Sequence, residues 1–186
     1  PQGLRTSQYQ DSKNLTSRID LHARFSTNPE GWFAWLAAQI AVPAGARVVE
    51  IGCGSGQLWV SQSDSLPQPA ILSDFSPGMV FELREKARSW QSQPSFVVLD
   101  AADLPFSPGI FDAALANHML YHVPDRARAI ANLRRVLRPG GRLYAATNGI
   151  GHLSELYTWI ARAAGLSPER TNAIANELIR PFTLEN

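Results

Sequence analysis

Val48-Val49-Glu50-Ile51-Gly52-Cys53-Gly54-Ser55-Gly56 is the most informative stretch of this chain. Three β-branched residues around one acid, followed by three glycines in five positions, are typical of a buried strand that runs into a tight turn. Glycine adopts backbone torsions that other residues resist, and without a side chain it lets a ligand lie close to the main chain. The stretch therefore predicts a loop that binds a nucleotide-like ligand.

Strands and helices are predicted to alternate on either side of this loop. Helices are expected from about residue 14, from Asn28-Pro29, from Ser76-Pro77, from Asp125 and over about 152–164 and 168–178, with strands at about 47–51, 70–73, 96–99, 111–116 and 142–147. Strands alternating with helices favour an α/β fold with a parallel sheet built from right-handed crossover units.

Polar residues follow three of the later predicted strands. Asp74, Asp100 and Asn117 stand directly after the second, third and fourth strands. Ligands of such sheets bind at the carboxyl ends of the strands. We therefore expect these three side chains to surround the same ligand as the glycine loop.

The spacing of the glycines indicates which ligand the loop binds. A dinucleotide-binding fingerprint needs a third glycine at residue 57, where this chain has Gln. Glu50, two residues before the first glycine, would repel a phosphate but would favour a ligand that carries an ammonium or sulfonium charge. The spacing and Glu50 together argue against a nicotinamide cofactor.

Five motifs over about residues 46–147 occur in one order along the chain: Val48 to Gly56, Leu72-Ser73-Asp74-Phe75-Ser76-Pro77-Gly78-Met79, Asp100-Ala101-Ala102-Asp103-Leu104-Pro105-Phe106, Phe111-Asp112 and Arg135-Val136-Leu137-Arg138-Pro139-Gly140-Gly141. With these motifs the sequence resembles the class I S-adenosylmethionine-dependent methyltransferases of the type 11 group. The resemblance implies a Rossmann-like, doubly wound, mainly parallel sheet with helices on both faces.

The resemblance also implies a set of residues around S-adenosylmethionine, which leaves as S-adenosylhomocysteine. Glu50 would support the loop and the amino group, Asp74 would hold the ribose hydroxyls, and the other groups would line the adenine and methionine parts. The full set of expected cofactor-binding residues is Glu50, Gly52, Cys53, Gly54, Gly56, Asp74, Phe75, Met79, Asp100, Ala101, Asn117 and His118.

Methyl transfer is an in-line displacement, so the protein mainly aligns and desolvates the partners, and a general base matters only for a protonated acceptor. His118 is the first candidate by position, followed by Tyr121 and His122, with His22 or Tyr9 as candidates from the amino-terminal segment. The alternative is that His118, Tyr121 and His122 only pack or hydrogen-bond. His22, Trp32, Trp35 and Trp90 are expected in the core.

The composition limits the partners of the chain. The net charge is +1, and six of the 17 basic residues lie between Arg126 and Arg142, where a solvated helix face explains them better than a nucleic-acid surface. Cys53 is the only cysteine, so neither a disulfide framework nor a metal site is expected. No apolar run reaches the ~18 residues of a membrane span. We expect a cytoplasmic protein that does not bind a membrane.

These observations predict one domain over residues 1–186, with a helical cover (1–44), a cofactor-binding core (45–147) and a helical segment (148–186). The resembling family has two further strands after the fifth. We therefore expect a truncated chain of a longer protein, or a partner or second copy on the exposed sheet edge. The expected function is methyl transfer to a small molecule; the alternatives are an RNA or protein methyltransferase and a catalytically silent cofactor-binding or scaffold protein.

Overall fold

A computed structural model describes residues 12–61, 67, 69–149, 154–167, 169–170 and 173. The chain divides into two compact units between Ala145 and Ala146. Tyr9 and most of the predicted helix at 168–178 lie outside the described residues. The expected division into cover, core and carboxy-terminal segment stays a prediction.

Helices and strands alternate through the described part of the chain. The α-helices are α1 (Lys13–Phe25), α2 (Trp32–Gln39), α3 (Gln57–Val60), α4 (Pro77–Lys86), α5 (Arg126–Val136) and α6 (Ser154–Ala163). The strands are β1 (Val48–Ile51), β2 (Ala70–Asp74), β3 (Ser95–Val98), β4 (Phe111–Asn117) and β5 (Leu137–Ala146). Short 3-10 helices cover Ala87–Ser89 and Leu120–His122.

The five strands form one sheet in the order β3-β2-β1-β4-β5. The pairs β1–β2, β1–β4 and β2–β3 are parallel, and Val48 lies opposite both Ala70 and Ala113. All four residues of β1 are buried, because neighbouring strands and both faces of the sheet cover them. The predicted α/β, Rossmann-like, mainly parallel fold is confirmed. This order places the glycine loop, which follows β1, between the carboxyl ends of β2 and β4.

Asp112, at the start of β4, connects this strand to Arg47 just before β1 and to Arg138 in β5. These contacts lie at the end of the sheet opposite the glycine loop. Asp112 Oδ2 accepts a 2.7 Å hydrogen bond from the backbone N–H of Arg47, and Asp112 Oδ1 accepts from Arg138 Nε. These bonds hold the pKa of the Asp112 carboxyl below its ordinary value. Arg135 donates to the backbone oxygens of Leu104 and Phe106. Of the six clustered arginines, Arg135 therefore holds backbone directly, and Arg138 pairs with the Asp112 carboxylate.

Some predicted positions were wrong. α2 begins at Trp32 rather than near Asn28, because the Asn28 side chain accepts the backbone N–H of Glu30 in a local turn and Gly31 stays extended. β5 begins at Leu137, five residues before the predicted Arg142. His22 is exposed instead of buried, and so are Trp32 and Trp35, each 41 % exposed.

No helix in the described residues is long and apolar enough to cross a membrane. Within the same residues, no group of three or more His, Cys, Asp or Glu side chains could hold a metal ion.

Candidate functional site

The glycine loop leaves β1 through three left-handed residues. Gly52, Gly54 and Gly56 have φ of +76°, +54° and +70°, a region that residues with a Cβ adopt at a cost of ~1–2 kcal/mol. The backbone N–H groups of Gly52 and Cys53 both donate to the Ser73 carbonyl at 2.8 Å, which fixes the loop against the end of β2.

Space as well as torsion selects these glycines. A Cβ on Gly52 would lie 2.7 Å from Met119 Cβ, and one on Gly54 would lie 2.9 Å from Leu15 Cδ2. The first contact comes from the segment after β4 and the second from α1. Side chains therefore cover the loop at both positions, from α1 at Gly54 and from the segment after β4 at Gly52.

Asp74 joins the loop to the start of α4. Its Oδ2 accepts from the backbone N–H of Gly54 at 2.9 Å, and its Oδ1 accepts from that of Ser76 at 2.8 Å. Ser76 caps α4 by accepting the backbone N–H of Met79 at 3.3 Å. Burial raises the pKa of Asp74 although these bonds lower it. Each carboxylate oxygen has a second acceptor position, so Asp74 can also accept from a diol.

Glu50 is a buried acid of the site and is only 3 % exposed. Its Oε2 accepts a hydrogen bond from Trp59 Nε1, and its Oε1 accepts from Asn117 Nδ2 at 3.1 Å. The pKa of Glu50 is raised to about 7, mainly because burial removes water and to a smaller extent because of the charge of Asp74, while the two hydrogen bonds lower it. β1, α3 and the end of β4 thus meet in one buried network.

Two buried oxygen atoms beside this network are unpartnered. Neither Asn117 Oδ1 nor Ser55 Oγ has a hydrogen-bond partner among the described residues. Buried polar groups of folded proteins are nearly always paired, so such atoms call for a ligand or water. Ser55 lies in the loop after β1 and Asn117 is the last residue of β4, at the carboxyl ends of the strands, where sheets of this kind bind ligands.

Aromatic side chains from α2 and from the segment after β4 lie close together. His118 is a non-glycine residue in the left-handed region, with φ of +52°. Its ring centroid lies 5.2 Å from that of Trp32 and 6.5 Å from that of Tyr121, and Tyr121 lies 4.4 Å from His122. Trp32 in turn stacks on Trp35 at 5.2 Å. We call Trp32, Trp35, His118, Tyr121 and His122 the aromatic cluster.

The remaining predicted residues lie around this centre with less direct connection. Leu99 N–H donates to the Asp74 carbonyl at 3.1 Å, which brings Asp100 to the same edge, but the Asp100 side chain is exposed and accepts from Ala102 N–H at 2.8 Å. Ala101 and Met79 are buried, and Phe75 is half-buried. Burial raises the pKa of the Cys53 thiol.

Three residues of this region escaped sequence reasoning. Nothing in the sequence patterns above points to Trp59 or Leu15, and Trp32 was expected in the core. An indole directly after the glycine loop was the available signal for Trp59, since a buried carboxylate needs a donor. No sequence signal placed Leu15 over Gly54.

Comparison with known proteins identifies the family. Residues 49–145 match the family model described as methyltransferase domain, which is more than half of the chain. The chain belongs to this methyltransferase family. S-adenosylmethionine is the cofactor of these class I enzymes, as the resemblance implied.

Individual relatives agree with this assignment. The ubiquinone biosynthesis O-methyltransferase of Xanthomonas campestris is 35 % identical over 114 residues, 61 % of this chain and 47 % of that protein. A SAM-dependent methyltransferase from Methanosarcina mazei is 27 % identical, with a TM-score of 0.54 over 63 % of this chain and 60 % of that one. The cyclase SpnF is 29 % identical, with a TM-score of 0.57 over 61 % and 42 %.

The methyltransferase chain spans a little under half the length of the curated relatives that it matches. Its residues fit the family's cofactor. The buried, unpaired Asn117 Oδ1 can accept a hydrogen bond, and the acidic groups Glu50 and Asp74 suit a cationic ligand.

Proposed function

We propose that this chain binds S-adenosylmethionine at the glycine loop and transfers its methyl group to a small-molecule acceptor. One observation carries the proposal: beside the glycine loop, which is hydrogen-bonded to Asp74, the buried Glu50 accepts from Asn117, and Asn117 retains an unpartnered carbonyl oxygen. A loop that had lost its ligand would be free to fill that position with one of its own donors.

The aromatic cluster supports an acceptor with a planar ring. Trp32 and Trp35 keep 41 % of their surfaces exposed while Trp32 contacts His118. Half-exposed indoles offer apolar stacking faces to a flat ligand. Several relatives are O-methyltransferases by name, so we propose a hydroxyl-bearing aromatic acceptor.

Each group of the site has a defined part in this proposal. The bound cofactor supplies a methyl group activated by its sulfonium sulfur. Asp74 accepts hydrogen bonds from the ribose hydroxyls, and the glycine loop lets the backbone approach the ligand. His118 accepts the hydroxyl proton of the acceptor at an imidazole nitrogen. Trp32 and Leu15 exclude water from the reacting groups.

Within the site, the residues expected around the adenine of the cofactor are the least connected to the other groups. We propose that Phe75 and Met79 border the adenine and that Asp100, with the backbone of Ala101, accepts its amino group. These four residues follow β2 and β3, on the loop side of the sheet.

Calorimetric titration with S-adenosylhomocysteine tests cofactor binding, and transfer of labelled methyl groups to a panel of phenols, amines, RNA and peptides tests the acceptor. We expect binding, with label on phenols. Label on RNA or peptide instead would support the alternative acceptors and overturn a small-molecule role. Absence of binding would overturn the proposal as a whole.

A second candidate is a cofactor-binding protein that transfers no methyl group. SpnF, a structural neighbour, is named a cyclase rather than a methyltransferase. Tight binding of S-adenosylhomocysteine with no labelled product from the whole panel would favour this candidate.

A further inference from the structure

Trp59 is an unusual neighbour for a buried acid. It lies in α3, directly after the glycine loop, is 3 % exposed and donates its indole N–H to Glu50 Oε2. An indole has a single donor and no acceptor. It therefore fixes one oxygen of Glu50 and leaves the other for a different donor.

That other oxygen determines how the Asn117 side chain is turned. Asn117 Nδ2 donates to Glu50 Oε1 at 3.1 Å. When Glu50 is ionised, the opposite orientation of the carboxamide would set two acceptor oxygens against each other. Oδ1 consequently points away from Glu50, where it is buried and has no partner among the described residues.

The surroundings of this oxygen favour a cationic donor. Glu50 on β1 and Asp74 on β2 are both acceptors, and the Cys53 thiol is the third titratable group that faces them. In the described part of the chain, no ion pair joins Glu50 or Asp74 to a basic side chain. An ammonium group would supply hydrogen bonds and compensate this charge.

We propose that Trp59 is a positioning residue: through Glu50 it holds the Asn117 carbonyl oxygen where that atom accepts a hydrogen bond from the ammonium group of the bound cofactor. This inference rests on the proposed function. It also assigns Glu50 an indirect part, since Glu50 orients Asn117 and its charge favours the cation.

Proton release on binding follows from this arrangement. Burial brings the pKa of Glu50 to about 7, so near neutral pH a share of the molecules carries a proton on this group. A nearby ammonium group favours the carboxylate and lowers that pKa. Binding of a ligand with an ammonium group therefore expels protons, and its affinity increases as the pH rises through 7.

Two ligands separate this role from general support of the fold. S-adenosylhomocysteine carries the ammonium group, whereas 5′-methylthioadenosine keeps the adenosine and thioether but lacks the amino-acid part. Calorimetry at pH 7 in buffers of different ionisation enthalpy counts the protons. We expect release of up to about half a proton with the first ligand and none with the second.

Trp59→Phe is the decisive variant, with Trp90→Phe, a partly buried tryptophan at the same core, as its control. Trp59→Phe should weaken S-adenosylhomocysteine about 10- to 100-fold, the value of a hydrogen bond to a charged group, and methylthioadenosine less than about twofold. Trp90→Phe should change the affinity for neither ligand. If Trp59→Phe does not fold, Asn117→Ala should give the same selective loss.

Equal weakening of both ligands would reduce Trp59 to a structural residue and overturn the inference. Binding by the wild-type chain without proton release would do the same, while leaving the proposed function intact. Failure of the wild-type chain to bind S-adenosylhomocysteine at all would instead overturn the proposed function.

Discussion

Gly56 ends the loop and is buried against α4. Its φ is +70°, and a Cβ there would overlap the Cδ1 and Cδ2 atoms of Leu83, which is fully buried. Gly45 has a similar φ of +79° but nothing within 4 Å of its would-be Cβ. A side chain would therefore strain the backbone torsions at both positions. Only at Gly56 would it also clash with a neighbour.

Gly56→Ala should destabilise the protein by about 2–4 kcal/mol, the sum of left-handed strain and overpacking, and Gly45→Ala by about 1 kcal/mol. Urea unfolding followed by circular dichroism measures both. Equal losses in the two variants would show that Leu83 yields at no cost, which contradicts the packing described for the loop.

Glu50 should make the ligand-free protein less stable as the pH rises. Its pKa is about 7 in the folded chain against 4.5 ordinarily, so the folded state holds the proton more tightly and the unfolded state binds fewer protons between these values. Stability is therefore lost from about pH 4.5 to 7. Between pH 5 and 8, wild type should lose about 2–3 kcal/mol more than Glu50→Gln.

The change of stability with pH, not the absolute stability, reports the ionisation of Glu50, because Gln at residue 50 also alters the bonds to Trp59 and Asn117. The raised pKa of Asp74 acts in the same direction in both proteins. Parallel pH profiles for the two proteins would mean that Glu50 is ionised when folded.

Residue patterns predicted the polar groups of the site but not all of their partners. Glu50, Asp74 and Asn117 were predictable because strand ends in a parallel sheet meet at one edge. Trp59 was not, since its indole reaches Glu50 only after three left-handed glycines have turned the chain. The exposure of Asp100 depends on its own turn, in which it accepts Ala102 N–H.

At the scale of elements, α1 covers the loop through Leu15, which is half-buried above Gly54. Leu21 lies on the same helix but is 52 % exposed. Sequence periodicity predicted this helix from about residue 14 and could not place it, since its position depends on tertiary contacts such as Ser12 N–H to Glu82 at 3.4 Å.

Leu15→Ala should release S-adenosylhomocysteine about fivefold faster, because it removes ~1 kcal/mol of apolar cover from the loop. Leu21→Ala, which leaves the cover intact, should not change the rate. Stopped-flow displacement measures both variants. Slower release from Leu15→Ala would mean that Leu15 competes with the ligand instead of covering it.

Strand and helix starts were the least predictable features of the elements. The run Arg138-Pro139-Gly140-Gly141 is typical of a helix end and predicted the strand only from Arg142, whereas β5 already begins at Leu137. Gly141 lies so close to the carbonyls of Phe111 and Asp112 that a Cβ would stand 3.1–3.2 Å from them. Contact with β4, not local propensity, determines this strand.

At the scale of the whole molecule, the sheet has two unequal edges. Among the described strands, β3 and β5 each have one neighbour. β3 has four residues and β5 has ten. A long edge strand exposes more unpaired backbone donors and acceptors and is the better template for a second chain. We therefore expect self-association through β5.

Leu143→Lys should weaken this association at least about tenfold, because a charge on the edge must be desolvated when strands pair. Leu143 is exposed on β5, and the similarly exposed Val98 on β3 supplies the matched control Val98→Lys. Sedimentation velocity over a range of concentrations compares the three proteins. Association that both lysines weaken equally would point to general charge repulsion, and a wild-type chain that remains monomeric throughout would show that the β5 edge is protected in solution.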